Sequence, residues 1–168
     1  FRDFYSDFDT DVPILVTDGL RSASLPSDVG NPMENVTGTA PLAAGPGREF
    51  FDEQFQAEFG SEPGVFTAQA FDATAVCLLA NAAAGENNGQ AIAQQMQAVA
   101  SPGGEEVLPD TLAEGLQMAA EGTEIQYKGA SSALDVDANG DLKAATYEYF
   151  GFEAGGGIRT IDELAFSA

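Results

Sequence analysis

The sequence predicts an α/β chain on three observations. A short apolar run at residues 12–17, rich in β-branched side chains, stops at Asp18-Gly19. Four stretches between residues 51 and 122 repeat apolar side chains at helical spacing, three of them closing on glycine. The final third alternates polar and apolar residues on either side of Asn139-Gly140. Strands, then a block of helices, then strands again is the order of an α/β or α+β chain.

Each element has its own reason. Val12-Pro13-Ile14-Leu15-Val16-Thr17 reads as a buried strand with a functional loop at its C-terminal end. Residues 21–34 are rich in Ser, Pro and Asn and read as loop or a short helix, and Asn35 to Ala40 as a second strand. Residues 41–47 form a linker or crossover by composition. Phe51, Phe55 and Phe59 recur at i, i+4 and i+8, which predicts an amphipathic helix with a Phe stripe facing the core and Gly60 as its stop. Residues 65–84 predict a long Ala-rich helix, apolar nearly all round from 73 to 80 and therefore buried on most sides. Cys77 lies in that run and reads as a buried thiol acting as a small hydrophobe. A third helix covers about 89–100 with Ile92, Met96 and Val99 as its apolar stripe. A fourth follows Pro109, with Thr111 and Glu114 as a capping box and Gly122 as its end. Leu134-Asp135-Val136-Asp137 and Ala145, Tyr147 and Tyr149 read as the two arms of a hairpin turning at Asn139-Gly140.

Charge narrows the function. The chain of 168 residues carries 27 acidic and 6 basic side chains and no histidine, a formal net charge of -21. Nucleic-acid binding needs a basic stripe, and this chain has none. An anionic membrane surface repels it as well. The acids are scattered, and 44% of the residues are hydrophobic, so the chain is a folded domain and not an acidic tail. Self-repulsion at this charge weakens a compact state in dilute buffer. Salt relieves it, since the Debye length falls to ~3 Å at 1 M. With lysine only at 128 and 143, the composition points to a salt-rich habitat and a halophilic source.

Catalytic machinery is not apparent. Without histidine there is no Ser-His-Asp set and no partner for a nucleophilic Cys77. Glu105-Glu106 is a pair expected by chance among 27 acids, and Gly155-Gly156-Gly157 lacks the Lys and the strand-to-helix setting of a phosphate loop. Residues 135–141 match the first half of a calcium loop, but its twelfth position is Thr146 and Glu148 stands two residues late. That stretch is read as an Asn-Gly hairpin with acidic neighbours, and no metal or cofactor is expected. Asp18 differs, because it follows an apolar strand where open α/β sheets place ligand groups. A carboxylate there suits an ammonium group, although a turn or cap role competes on these residues alone.

These stretches, in order, resemble branched-chain amino-acid binding proteins. The residues are Pro13-Ile14-Leu15 with Thr17-Asp18-Gly19, Gly38-Thr39-Ala40-Pro41, the Phe51, Phe55, Phe59 stripe running into Gly60-Ser61-Glu62-Pro63-Gly64, and Ala70-Phe71-Asp72-Ala73. Tyr127-Lys128-Gly129-Ala130-Ser131 and Asp137-Ala138-Asn139-Gly140-Asp141 complete the series. The resemblance implies the type I periplasmic-binding-protein fold: two α/β lobes joined by crossovers, with ligand in the cleft. It implies that only the C-terminal half is present, which agrees with a start lacking Met and with too few strands to cover four helices. Residues 1–40 then belong to the second lobe, 41–142 to the first, and 143–168 form the return crossover into the second. It places Asp18 where the family has an acid, often Glu, that binds the ligand's α-ammonium, with Thr17 and Gly19 as neighbours. The function implied is an extracellular substrate-binding receptor of an ABC importer, anchored at the cell surface. It would bind an amino acid or similar small polar solute and dock on a membrane permease. The alternatives are a ligand-sensing regulatory protein of the same fold and a calcium-dependent surface module built on residues 135–148.

Overall fold

The β-branched run after Pro13 forms strand β1, the edge from which the first sheet is built. A computed structural model describes residues 1–8 and 12–167. In chain order the elements are α1 (Arg2–Asp7), β1 (Ile14–Thr17), α2 (Leu25–Val29), β2 (Val36–Leu42), α3 (Arg48–Phe59), α4 (Thr67–Ala84), α5 (Gly89–Val99), β3 (Glu105–Val107), α6 (Leu112–Ala120), β4 (Ile125–Tyr127), β5 (Ala144–Phe152) and β6 (Ile158–Ser167). They divide into two units: Phe1–Leu42 with Thr146–Phe166, and Ala43–Ala145.

The first unit is a four-stranded sheet in the order β1-β2-β5-β6. β1 and β2 run parallel, with Thr17 opposite Thr39, and β5 lies antiparallel to β2, with Glu148 opposite Ala40 and Phe150 opposite Gly38. Period-2 alternation puts Val36, Ala40, Phe150 and Phe152 on the covered face with Val16 and Met33. Gly38 is required there, because a Cβ would stand 2.5 Å from Phe150 Cζ and 2.8 Å from Val16 Cγ2. Each large side chain buried in this way contributes about 1.5–3 kcal/mol.

The second unit packs α4, α5 and α6 with the parallel pair β3-β4. Its core joins Val76, Leu79, Val99, Val107, Ile125 and Tyr127. α5 begins on Asn88, whose side chain accepts the amides of Gln90 and Ala91. Gly60, Gly85 and Gly122 end or follow their helices at positive φ of 70°, 66° and 82°.

Several expectations are corrected. Cys77 is exposed, because α4 buries Ala68, Asp72, Ala75, Val76, Leu79 and Ala80 along one stripe and turns Cys77 and Leu78 outward. The Phe stripe reaches the core only at its start: Phe51 is buried, Phe55 half-buried and Phe59 67% exposed, its ring tilted 41° against that of Phe55 with the centroids 4.5 Å apart. Thr111 makes no capping box with Glu114; its hydroxyl oxygen accepts the Leu108 amide at 3.0 Å and closes a 3-10 turn over Pro109–Thr111. The first hairpin arm shrinks to a single bridge, Val136 with Leu142, because β5 takes β2 as its partner instead.

Candidate functional site

The C-terminal ends of parallel strands β1 and β2 set the first candidate. The chain leaves β1 at Thr17 and enters a 3-10 turn over Asp18–Leu20. Thr17 and Gly19 are exposed and Asp18 is half-buried. One Asp18 carboxylate oxygen accepts the Gly19 amide at 2.7 Å, and the Arg21 amide closes the turn on the Asp18 carbonyl at 2.9 Å. All three expected site residues therefore fall together at the end of β1.

Behind the turn lies an ion pair that the sequence did not reveal. Arg21 Nε donates to Glu148 Oε2 at 2.5 Å, and the Thr160 hydroxyl donates to Glu148 Oε1 at 2.6 Å. The guanidinium sits 5.9 Å from the Phe150 ring centroid, a cation–π distance. Glu148 is 3% exposed. Burial pushes its carboxyl up, but the Arg21 and Thr160 hydrogen bonds and the Arg21 charge outweigh that and leave it below the usual carboxylate value.

The second unit holds a separate feature. An open groove of about 610 Å³ runs between α4, α5 and residues 131–142, lined by Val76, Cys77, Met96, Leu134 and Leu142 among others. At its edge the buried Asp72 carboxylate accepts four hydrogen bonds. They come from the Tyr127 hydroxyl at 2.8 Å, the Ala130 and Ser131 amides at 2.9 and 2.7 Å, and the Ser131 hydroxyl at 2.5 Å. Burial, the Asp72 charge and the hydrogen bond to it together push the Tyr127 phenol far above the usual tyrosine value. With every donor satisfied, Asp72 ties α4 to the segment after β4 and presents no free acceptor to a ligand.

The calcium-like loop is occupied by its own chain. Asp137 Oδ1 accepts the Asn139 and Asp141 amides at 2.8 and 3.0 Å, and Asp135 pairs with Lys143 at 2.8 Å. Hydrogen bonds from the backbone amides of Asp141 and Asn139 hold the Asp137 carboxyl below its ordinary value. Among the described residues no three His, Cys, Asp or Glu side chains converge as a metal centre. Near the start of β2, Asn35 Nδ2 donates to the Val12 carbonyl at 2.6 Å.

No protein-family model matches the chain, and no curated protein sequence matches it. Solved structures do. A leucine-binding protein LivK from Thermotoga maritima MSB8 superposes with a TM-score of 0.63 at 21% identity, over 90% of this chain and 37% of its own. A protein described as a branched-chain amino acid ABC transporter from Rhodospirillum rubrum gives a TM-score of 0.54 at 17% identity, over 95% of this chain and 40% of its own. The chain thus spans 37% and 40% of the lengths of these two structures. Identities this low establish architecture and leave function to the site. The chain has the α/β architecture of the type I periplasmic-binding-protein fold.

Proposed function

We propose that this chain is part of a substrate-binding receptor of an ABC importer that captures an amino acid or similar small polar solute. One observation carries the reading: the Asp18 carboxylate, half-buried and without an ion-pair partner among the described residues, stands at the C-terminal end of a parallel strand. In open α/β sheets that is where ligands bind. The ligand's ammonium would bond to Asp18, flanked by Thr17 and Gly19, and capture would be non-covalent, with no catalysis. The same reading puts residues 1–40 and 143–168 in one lobe and 41–142 in the other, and the division of the chain after Leu42 and again after Ala145 supports it. It also puts the protein outside the cell, docking on a membrane permease.

Calorimetric titration of the full chain with the free L-amino acids tests the proposal. A charge-assisted hydrogen bond to an ammonium is worth about 1.5–3 kcal/mol. Asp18→Asn should therefore weaken the tightest-binding amino acid by at least about tenfold, with little loss of stability. Unchanged affinity with a large fall in melting temperature would return Asp18 to a turn role. Failure of every amino acid to bind would remove the amino-acid assignment.

A further inference from the structure

The Asp18 turn carries a cation of its own, and that cation is held elsewhere. Arg21 lies three residues after Asp18, at the close of the same 3-10 turn. Groups at this spacing are natural ion-pair partners. Arg21 nevertheless pairs with Glu148, which is 127 residues away in sequence. Both Glu148 oxygens are committed, one to Arg21 and one to Thr160, and the Phe150 ring lies beside the guanidinium. Among the described residues, the Asp18 carboxylate accepts one backbone amide, that of Gly19.

We propose that Glu148 holds Arg21 away from Asp18 and so keeps the Asp18 carboxylate free for a ligand's ammonium group. Glu148 is thus a positioning residue, acting through Arg21 and touching no ligand. This rests on the reading of Asp18 as the ammonium acceptor. The physical logic is competition. A guanidinium released from Glu148 has one carboxylate within its own turn, and closing that local pair would neutralise Asp18 and stand in the ligand's way. Register supports the arrangement: Glu148 faces Ala40, one step beyond the Thr17–Thr39 pair, so the anchor lies level with the turn it restrains.

Four forms of the full chain, titrated with the amino acid that binds the wild type most tightly, test it. Glu148→Gln should weaken binding by about fivefold, the scale of a partly exposed ion pair that the ligand must displace. Adding Arg21→Met to Glu148→Gln should restore affinity to within about twofold of the wild type, since the competing cation is gone. The loss in Glu148→Gln should also shrink between about 0.1 and 1 M KCl, because screening weakens an exposed pair. A purely structural role would move the melting temperature and give neither the rescue nor the salt effect. Equal weakening in the single and double variants, or no weakening in Glu148→Gln, overturns the inference. Asp18→Asn separates the two ideas: if it leaves affinity unchanged, the reading of Asp18 itself fails and the inference falls with it. Should Glu148→Gln not fold, Glu148→Asp, which keeps the charge and shortens the reach, takes its place under the same comparisons.

Discussion

Asp72 offers the sharpest test of what holds the second unit together. Asp72→Ala removes the acceptor of four hydrogen bonds and leaves the Tyr127 hydroxyl and the Ala130 and Ser131 amides without it. Each buried donor left unsatisfied costs about 1–3 kcal/mol, although Ser131, half-buried, recovers part of its loss from water. The sum is about 3–5 kcal/mol, the same scale as breaking a buried charged network. With an m-value of about 1–3 kcal/mol/M in urea, the unfolding midpoint should fall by at least about 1 M. Asp72→Asn keeps the shape but sets an amide N–H₂ against donors, and should cost about 2–3 kcal/mol. Gly129 supplies an independent route to the same damage. A Cβ there would fall on the Asp72 carboxylate, so Gly129→Ala should expel it and add little to Asp72→Ala in the double variant. Urea unfolding monitored by far-UV circular dichroism, at one fixed molar KCl concentration, measures all of this. A midpoint shift below about 0.3 M in Asp72→Ala would refute the reasoning, since even at the steepest m-value it is under the cost of one orphaned buried donor.

Three further outcomes are expected. Tyr127 has its phenol pushed up, so its contribution is fully present below the unfolded tyrosine value of about 10 and is lost as pH rises above it. Melting temperature should therefore fall in strong alkali, and Tyr127→Phe should flatten that fall. With a net charge of -21, thermal melts across a KCl series should rise toward molar salt, and a flat or falling series would count against a salt-rich habitat. Calcium calorimetry at physiological salt should show nothing tighter than roughly millimolar, because Asp135 and Asp137 are spent on Lys143 and on the loop's own amides. Micromolar binding abolished by Asp135→Ala would restore the surface-module reading.

Helices are legible in this sequence because their signals are local. Apolar spacing and terminal glycines locate α3 to α6 to within a few residues, and the β-branched run locates β1. Two strands escape. Glu105-Glu106-Val107 and Ile125-Gln126-Tyr127 are three residues each, too short to display a period of two. Cys77 misleads because an Ala-rich helix looks apolar on every side, while only the stripe through Ala75, Val76, Leu79 and Ala80 meets α5, α6 and the β3-β4 pair. At the candidate site, Asp18 can be found from its place at a strand end. The tie from Arg21 to Glu148 cannot, since only the pairing of β2 with β5 brings residues so distant in sequence into one sheet. Asp72 is visible as a residue but not as a buried acceptor, because its donors lie 55 to 59 residues downstream.

The pairing of Thr37 with Gly151 has a consequence for synthesis. β2 leaves the ribosome long before its partner β5, and more than 100 residues separate the two, which at about 5–20 residues per second is a delay on the order of ten seconds. Ala43–Ala145 is continuous and can close during that interval, whereas the sheet holding β1 and β2 must wait with an unpaired edge. Such an edge invites pairing with a neighbouring nascent chain. Two residues of β2 blunt it: Gly38 offers no side chain to grip, and Pro41 offers no N–H to a foreign strand. Replacing Pro41 with Val should therefore raise the aggregated fraction of newly made protein more than it lowers the stability of the finished fold. Pelleting assays of translation reactions, set beside urea midpoints of the purified variant, would separate the two effects. Equal aggregation from both sequences would place the safeguard elsewhere.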